Sequence, residues 1–406
     1  MWAVVDLVQD SREAAGFDSV VVRFSGEIWI KGAWTRRFYV KRLLQNIKKV
    51  LKSYDLGVKE VSRVDGRLFL RVDEAEKVAL RLSRVFGISS VSPALETTSK
   101  LEDIVDKAVF LARKRLGTGN SFAVRCRRVG SHPYGSRDIC EVVGRRILEE
   151  FGDKLRTRVD LKMPDVRFGV EVRGDRGFVY SDVVIGVGGM PLGTQPRLVG
   201  LLSGGFDSAV ACWLVMKRGA PVVPVYFDNS PFTDKRTTEK ANEVAKALFG
   251  WAIGFPRRLF VVPFGEALKI IVEEAPRRLT CVSCKRMMYR VAERIAEQVG
   301  AEGIVTGEAI GEQASQTIYN LRVLDEVVQK YPIYRPLLGF DKTETDALAR
   351  KIGTYEISGW KAKGCTAAPK KPTTKARLEE IKDAEEKLKV KEIIENVVGS
   401  LKIIRL

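Results

Sequence analysis

The sequence holds one histidine, His132, in 406 residues. Hydrolytic triads and most catalytic zinc sites place an imidazole at the reacting atom. Histidine-based catalysis is therefore nearly excluded, and His132, directly before Pro133, reads as a turn residue. No apolar run reaches the roughly 20 residues of a membrane span, which predicts no membrane partner, and no low-complexity tract or clear internal repeat is present. Residues 1–10 carry acids where a secretory signal has lysines, so a cytoplasmic location is expected. In a reducing compartment the six cysteines are expected to be buried, metal-bound or reactive rather than paired as disulfides. Acid is also missing locally, for between Asp106 and Asp138 there is none, against Lys107, Arg113, Lys114, Arg115, Arg125, Arg127, Arg128 and Arg137.

What is present is charge of the other sign. The net charge is +18, with 35 basic and 25 acidic residues in 1–194 and 34 against 26 beyond. Both halves are basic, which suits a polyanion held by many phosphate contacts. The chain exceeds the length of one ordinary core, and its patterns predict a small α+β domain over 1–84 and a second domain over 85–190. In the latter, helix, strand, helix, strand and strand follow in order. The acid-free run with Arg113, Lys114, Arg125, Arg127, Arg128 and Arg137 fits an RNA backbone there. Alternation in "SFAVRCRR" sets Cys126 on the core side, and Cys140 falls at an apolar helical position. The Gly- and Pro-rich "IGVGGMPLGTQPR", 185–197, reads as a boundary. Over 195–406 strand and helix patterns alternate, the signature of a doubly wound parallel sheet.

The strand "RLVGLL" runs through "SGGFDS", 203–208, into a helix. Ser203, Gly204, Gly205 and Ser208 let the backbone approach a phosphate while helix N–H groups point at it. The string lacks the lysine and spacing of a Walker loop, so γ-phosphoryl transfer is not its natural chemistry. It resembles the pyrophosphate loop of the ATP-pyrophosphatases, which cleave ATP between the α- and β-phosphates and adenylate a substrate oxygen. Asp207 would then hold Mg²⁺ or orient phosphate.

"SGGFDS", "CKRMMYR", "VTGEAIGEQASQT", "RPLLGFDKTE" and "GCTAAPKKPTTKA" occur in the order seen in the tRNA 4-thiouridine synthetase family, and the chain resembles that family over nearly its whole length. "RFSGEIWIKG" resembles its N-terminal ferredoxin-like domain, and 85–190 its THUMP RNA-binding domain. The resemblance implies that O4 of uridine 8 in tRNA is adenylated by ATP and replaced by sulfur. It places adenine against Leu201, Leu202, Tyr226 and Phe227, phosphates at Arg286, and Gly307 and Gln316 over the nucleotide. Asp341 and Lys342 fall at another strand-end loop. It also implies a homodimer in which one subunit's THUMP domain presents tRNA to the other. Longer members carry a C-terminal rhodanese domain; this sequence ends at 406, so that domain and a thiazole-synthesis role are expected to be absent.

The sulfur must arrive through cysteine. Cys281, Cys284 and Cys365 fall in matching loops, whereas Cys212, inside the helix after "SGGFDS", reads as a small buried hydrophobe. Structural zinc wants four N or S ligands, and three thiols fit it poorly. Three thiolates on a [4Fe-4S] or [3Fe-4S] cluster would leave an iron open to sulfide. The alternative is a persulfide on Cys365, resolved by Cys281 or Cys284, with neighbouring lysines lowering the thiol pKa. The helix "MMYRVAERIAEQVG" is expected to start after the two thiols and to favour their thiolates. The sulfur donor would be sulfide or a persulfide carrier. Another ATP-pyrophosphatase-type RNA-modifying enzyme is a second reading. A small-acid amide synthetase would leave the basic front half unexplained, and a bare RNA-binding module would leave "SGGFDS" unexplained.

Overall fold

The computed structural model describes residues 15–64 and 66–406; residues 1–10, read above for a secretory signal, lie outside the described residues. The chain divides into two compact units, Met1–Pro191 and Leu192–Leu406.

In the first unit the described strands are β1 (Ser19–Phe24), β2 (Glu60–Val64), β3 (Arg67–Arg71), β4 (Ile88–Thr98), β5 (Ser121–Val129), β6 (Arg158–Val159), β7 (Val166–Arg173), β8 (Arg176–Tyr180) and β9 (Val184–Ile185). They form one sheet in the order β2-β3-β1-β4-β8-β7-β5-β6, with β9 on β4. The two front domains expected from the sequence thus share a sheet. The long β4 joins them, pairing with β1 through Ile88–Ala94 and with β8 through Leu95–Thr98. Helix Ala33–Ser53 buries Tyr39, Val40, Leu43, Ile47, Val50 and Leu51, the three-to-four spacing of a helix with one covered face.

The sheet folds over on itself. Phe69 on β3 and Phe178 on β8 are three places apart in strand order, which in a flat sheet is roughly 14 Å, yet their rings stack at 4.2 Å. At this closure the buried Glu171 on β7 accepts from Arg23 on β1 (3.1 Å), Arg67 on β3 (3.3 Å) and its own strand's Arg173 (2.9 Å). A buried carboxylate is tolerated because three guanidinium groups face it.

The second unit is a sheet of β10 (Leu198–Leu202), β11 (Val222–Asp228), β12 (Arg258–Pro263), β13 (Ile304–Val305), β14 (Ile333–Tyr334) and β15 (Lys402–Arg405). Its order is β14-β13-β10-β11-β12-β15. All pairs are parallel except the edge strand β15, antiparallel to β12. After β10 the chain steps to β11 on one side and later to β13 on the other. That reversal opens a crevice at the carboxyl end of β10, where open α/β sheets bind ligands. Helix Phe206–Lys217 buries residues all round, and it lies close on β10 because Gly200 has no side chain; a Cβ there would stand 2.6 Å from Cys212 Sγ. No described helix is long and apolar enough to cross a membrane.

Candidate active site

Strand β10 delivers Ser203, Gly204 and Gly205 into the crevice, and Gly205 N-caps helix Phe206–Lys217. The turn is held by its own serines: Ser203 N–H donates to Ser208 Oγ (2.9 Å), and Gly205 N–H donates to Ser203 Oγ (3.2 Å). Gly307, just beyond β13, presses on the first turn of this helix. A Cβ at 307 would come within 2.5 Å of the Ser208 amide nitrogen, so only glycine lets the two segments meet. Asp207 receives Lys342 Nζ at 3.1 and 3.2 Å. Burial raises the Asp207 pKa and Lys342 pulls it back. Asp341, expected among the ligands' neighbours, instead caps helix Lys342–Ile352 through the Glu344 amide (2.8 Å), which orients Lys342.

The crevice is a cavity of about 310 Å³. Of the expected nucleotide residues, Leu201, Leu202, Ser203, Gly204, Asp207, Ser208, Tyr226, Phe227, Gly307 and Gln316 line it, and Gly205 stands behind them. Asn229 Oδ1, Thr233 Oγ1 and Gln316 Oε1, all on lining residues, are buried without a hydrogen-bond partner. Buried polar atoms are normally satisfied, so three unsatisfied ones on one cavity mark it as a place for a polar ligand.

Arg286, expected at the phosphates, is elsewhere. It is fully buried and points into the fold, donating to Glu385 through Nε (2.7 Å) and Nη2 (2.8 Å) and to Glu326 through Nη2 (2.9 Å). It fastens helix Thr280–Val299 to helix Leu378–Glu386. Its neighbour Lys285 faces the cavity and donates to Glu308 (2.9 Å). Sequence reasoning missed Glu308, one residue past Gly307. Burial would raise its pKa, but Lys285, Arg335 (2.7 Å) and the Tyr289 hydroxyl (2.6 Å) hold it at about 2. The ionised carboxylate on the cavity wall keeps Lys285 in place, and Arg335 is shared between Glu308 and Asp325 (3.2 Å).

Cys281 and Cys284 lie inside helix Thr280–Val299, which begins at Thr280 rather than after the thiols. Burial raises the pKa of both thiols, and proximity to Cys365 adds to it; Lys285 pulls only weakly the other way. The expected lowering by helix and lysines is therefore overturned in this structure: desolvation outweighs it. Cys284 and Cys365 pack on one core cluster. The Cys365 loop is laced down at several points. Asp234 accepts from the Lys363 amide (3.1 Å), Thr366 N–H donates to Phe232 O (2.9 Å), and Thr373 N–H donates to Arg278 O (3.0 Å) just ahead of Cys281. Thr237, three residues after Asp234, lines the cavity, so this lacing ties the Cys365 loop to the crevice. Among the described residues no three His, Cys, Asp or Glu converge as metal ligands. Cys212 is buried with its pKa pushed up to about 12, and Cys126 likewise to about 12, beside Cys140.

In the first unit Arg125, Arg127, Arg113 and Arg137 are exposed, and Lys114 and Arg128 are half-buried. Arg113 pairs with Glu150 (3.0 Å) and Arg137 with Glu141 (2.8 Å). Arg115 leaves the patch altogether: it is buried against Asp182 (2.9 Å).

Residues 193–390 match the family described as "Thiamine biosynthesis protein (ThiI)", 98–182 the THUMP domain and 19–92 the ThiI ferredoxin-like domain. A relative from Methanosarcina acetivorans, "Probable tRNA sulfurtransferase", is 40% identical over 393 residues, covering 95% of this chain and 93% of its own. One of the same name from Thermococcus kodakarensis is 38% identical over 374 residues, 90% of this chain and 96% of its own. A crystal structure of a 4-thiouridine synthetase in an RNA complex with bound ATP superposes with a TM-score of 0.86 at 32% identity, covering 96% of this chain and 99% of that one.

Proposed function

The chain belongs to the ThiI family of tRNA sulfurtransferases, and from that premise we propose that it binds ATP in the β10 crevice and uses it to convert uridine 8 of tRNA to 4-thiouridine. The observation that carries the reading is the join between two sites: a cavity edged by the Ser203–Ser208 turn and, laced to its rim through Asp234, the loop bearing Cys365.

Adenine would lie against Leu201, Leu202, Tyr226 and Phe227, and the phosphates at the Ser203–Ser208 turn with Lys285 and Lys342 as their cations. Uridine O4 attacks the α-phosphate, the bond to the β-phosphate breaks, and pyrophosphate leaves with the electron pair. Preorganised N–H groups and lysines stabilise the charge that develops. A sulfur nucleophile then adds at C4 and AMP departs with O4. Asp207 is the carboxylate that would hold Mg²⁺, which supplies Lewis-acid stabilisation when bound.

Cys281, Cys284 and Cys365 would carry the sulfur. Three thiols without a fourth ligand fit the donor set of an iron-sulfur cluster, [4Fe-4S] or [3Fe-4S], which would supply an open iron for sulfide. A persulfide on Cys365 with Cys281 or Cys284 resolving is the second reading. Sulfide would be the donor to an open iron, and a persulfide carrier, passing its outer sulfur to the Cys365 thiolate and leaving as a thiol, the donor on the second route. Arg113, Lys114, Arg125, Arg127, Arg128 and Arg137 would meet tRNA phosphates, within a homodimer, in the cytoplasm.

Anaerobic incubation with ATP, sulfide and unmodified tRNA, followed by nucleoside analysis, should yield 4-thiouridine with one AMP per product. Absence of both, with the protein folded, overturns the reading. Iron analysis of the same protein, with a parallel incubation in which a persulfide donor replaces sulfide, separates the sulfur routes: iron-free protein that thiolates at full rate only with the persulfide donor, forming one disulfide from Cys365 to Cys281 or Cys284 per product, leaves the persulfide.

A further inference from the structure

The acid-free stretch of the sequence that the function has not absorbed runs from Ile28 to Tyr54, with Lys31, Arg36, Arg37, Lys41, Arg42, Lys48, Lys49 and Lys52 and neither Asp nor Glu. Most of it is helix Ala33–Ser53. One side of that helix is buried, through Tyr39, Val40, Leu43, Ile47, Val50 and Leu51. The other exposes Trp34, Arg37, Phe38, Lys41, Gln45 and Lys48, spaced three, four or a full two turns apart, so that they form one stripe along the axis. At 1.5 Å per residue the stripe is about 20 Å long.

Its first turns are aromatic. Trp34 is 78% exposed, and its ring stacks with that of Phe38 at 6.5 Å and 18°. Next to them Ile30 is 79% exposed and Trp29, with the Arg36 guanidinium 5.7 Å over its ring, is 36% exposed. Single exposed apolar residues are ordinary, but a contiguous patch on a folded surface marks contact with a partner. The identity of that partner follows from the cations. An apolar protein partner or an opposing helix would gain nothing from an unbroken positive stripe, whereas aromatic faces followed by a cationic track are what unpaired nucleic acid requires. Bases stack on the rings whatever their sequence, and the phosphates lie along the cations.

We infer that the exposed stripe beginning at Trp34 and Phe38 is a stacking surface for unpaired nucleotides of the RNA substrate, separate from the THUMP cations. The inference rests on the tRNA reading above and adds to it a contact that duplex RNA cannot make.

The test uses the full chain and unmodified tRNA. Binding by the wild type is measured first, because its absence would sink the functional reading rather than this one. Given binding, W34A/F38A is expected to weaken tRNA affinity about 10- to 100-fold, with the rate of AMP formation at saturating tRNA unchanged. W34F should restore most of the affinity, since a ring is retained. R37A/K41A should lessen the salt dependence of log affinity by a slope of about 2. A single-stranded oligonucleotide should quench Trp34 fluorescence and a blunt duplex should not. Unchanged tRNA affinity in W34A/F38A overturns the inference, as does equal loss for a blunt duplex. A changed oligomeric state with tRNA affinity intact assigns the patch instead to contact between copies. Both aromatic side chains are exposed, and circular dichroism of the variant against wild type confirms that the fold is kept.

Discussion

The carboxylate of Asp234 accepts the backbone N–H of Lys363 at 3.1 Å while its other oxygen caps helix Lys235–Phe249 at Thr237. One side chain thus holds the loop of Cys365 to the element that carries the cavity-lining Thr237. Asp234→Ala should release that loop. Thiolation is expected to fall by at least tenfold and tRNA-dependent AMP formation by less than threefold. Equal loss of both activities in a parallel assay would show that Asp234 serves the nucleotide site alone.

Cys365→Ser should abolish 4-thiouridine and spare AMP formation. Cys212→Ser should do the reverse of a functional lesion: full thiolation at lower thermal stability, because a hydroxyl would be buried beside Gly200 without a partner. Nucleoside analysis and thermal melting of the two variants read this directly.

Gly307→Ala places a Cβ 2.5 Å from the Ser208 nitrogen and 2.7 Å from the Asp207 carbonyl carbon. Both are backbone atoms, so the phosphate turn itself must move. ATP affinity measured by calorimetry should fall at least tenfold; retention of wild-type affinity would mean that the turn is pliant and the contact unimportant.

Glu308 is expected to make stability depend on acid. Its folded pKa of about 2 lies below the ordinary 4.5, so its contribution is present above pH 4.5 and is lost as pH falls toward 2. The difference corresponds to roughly 3 kcal/mol at neutral pH. Glu308→Gln should lose most of that at pH 7, leave Lys285 and Arg335 with less compensation, and flatten the urea midpoint between pH 5 and 3. A wild-type acid profile in the variant would reject the assignment.

Lys285 and Arg286 should separate cleanly. Lys285→Met is expected to raise the ATP KM about tenfold and to cost part of the stability that Glu308 contributes above pH 4.5, Arg335 and Tyr289 remaining as partners of that carboxylate. Arg286→Met leaves the buried Glu385 without a principal partner and should cost roughly 3–5 kcal/mol, with the ATP KM of the folded fraction nearly unchanged. The opposite pattern would return Arg286 to the phosphates.

Much of the fold was written locally. Alternating apolar runs and amphipathic spacing gave the parallel sheet, and "SGGFDS" marked the turn at which its crevice opens, because a strand-turn-helix needs only its own residues to form. The front half was less legible. The sheet shared by the stretches 1–84 and 85–190 shows in no local pattern, because β4 pairs with β1 and β8 in turn at separations of 64 to 84 residues, which leave no periodic mark.

One histidine, a Gly-Gly turn between strand and helix, three thiols in segments that resemble one family and two acid-free basic stretches all stand in the sequence alone. Which of two neighbouring cations faces the cavity is settled by packing that no local pattern records. Successive helix residues project about 100° apart, so on helix Thr280–Val299 Lys285 reaches the cavity while Arg286 turns to Glu385, a residue 99 positions away. Cys281 and Cys284 were likewise legible as a pair. Their high pKa was not, for it comes from burial against Cys365 and the core, and desolvation depends on everything that the fold brings around a group rather than on its neighbours in the chain.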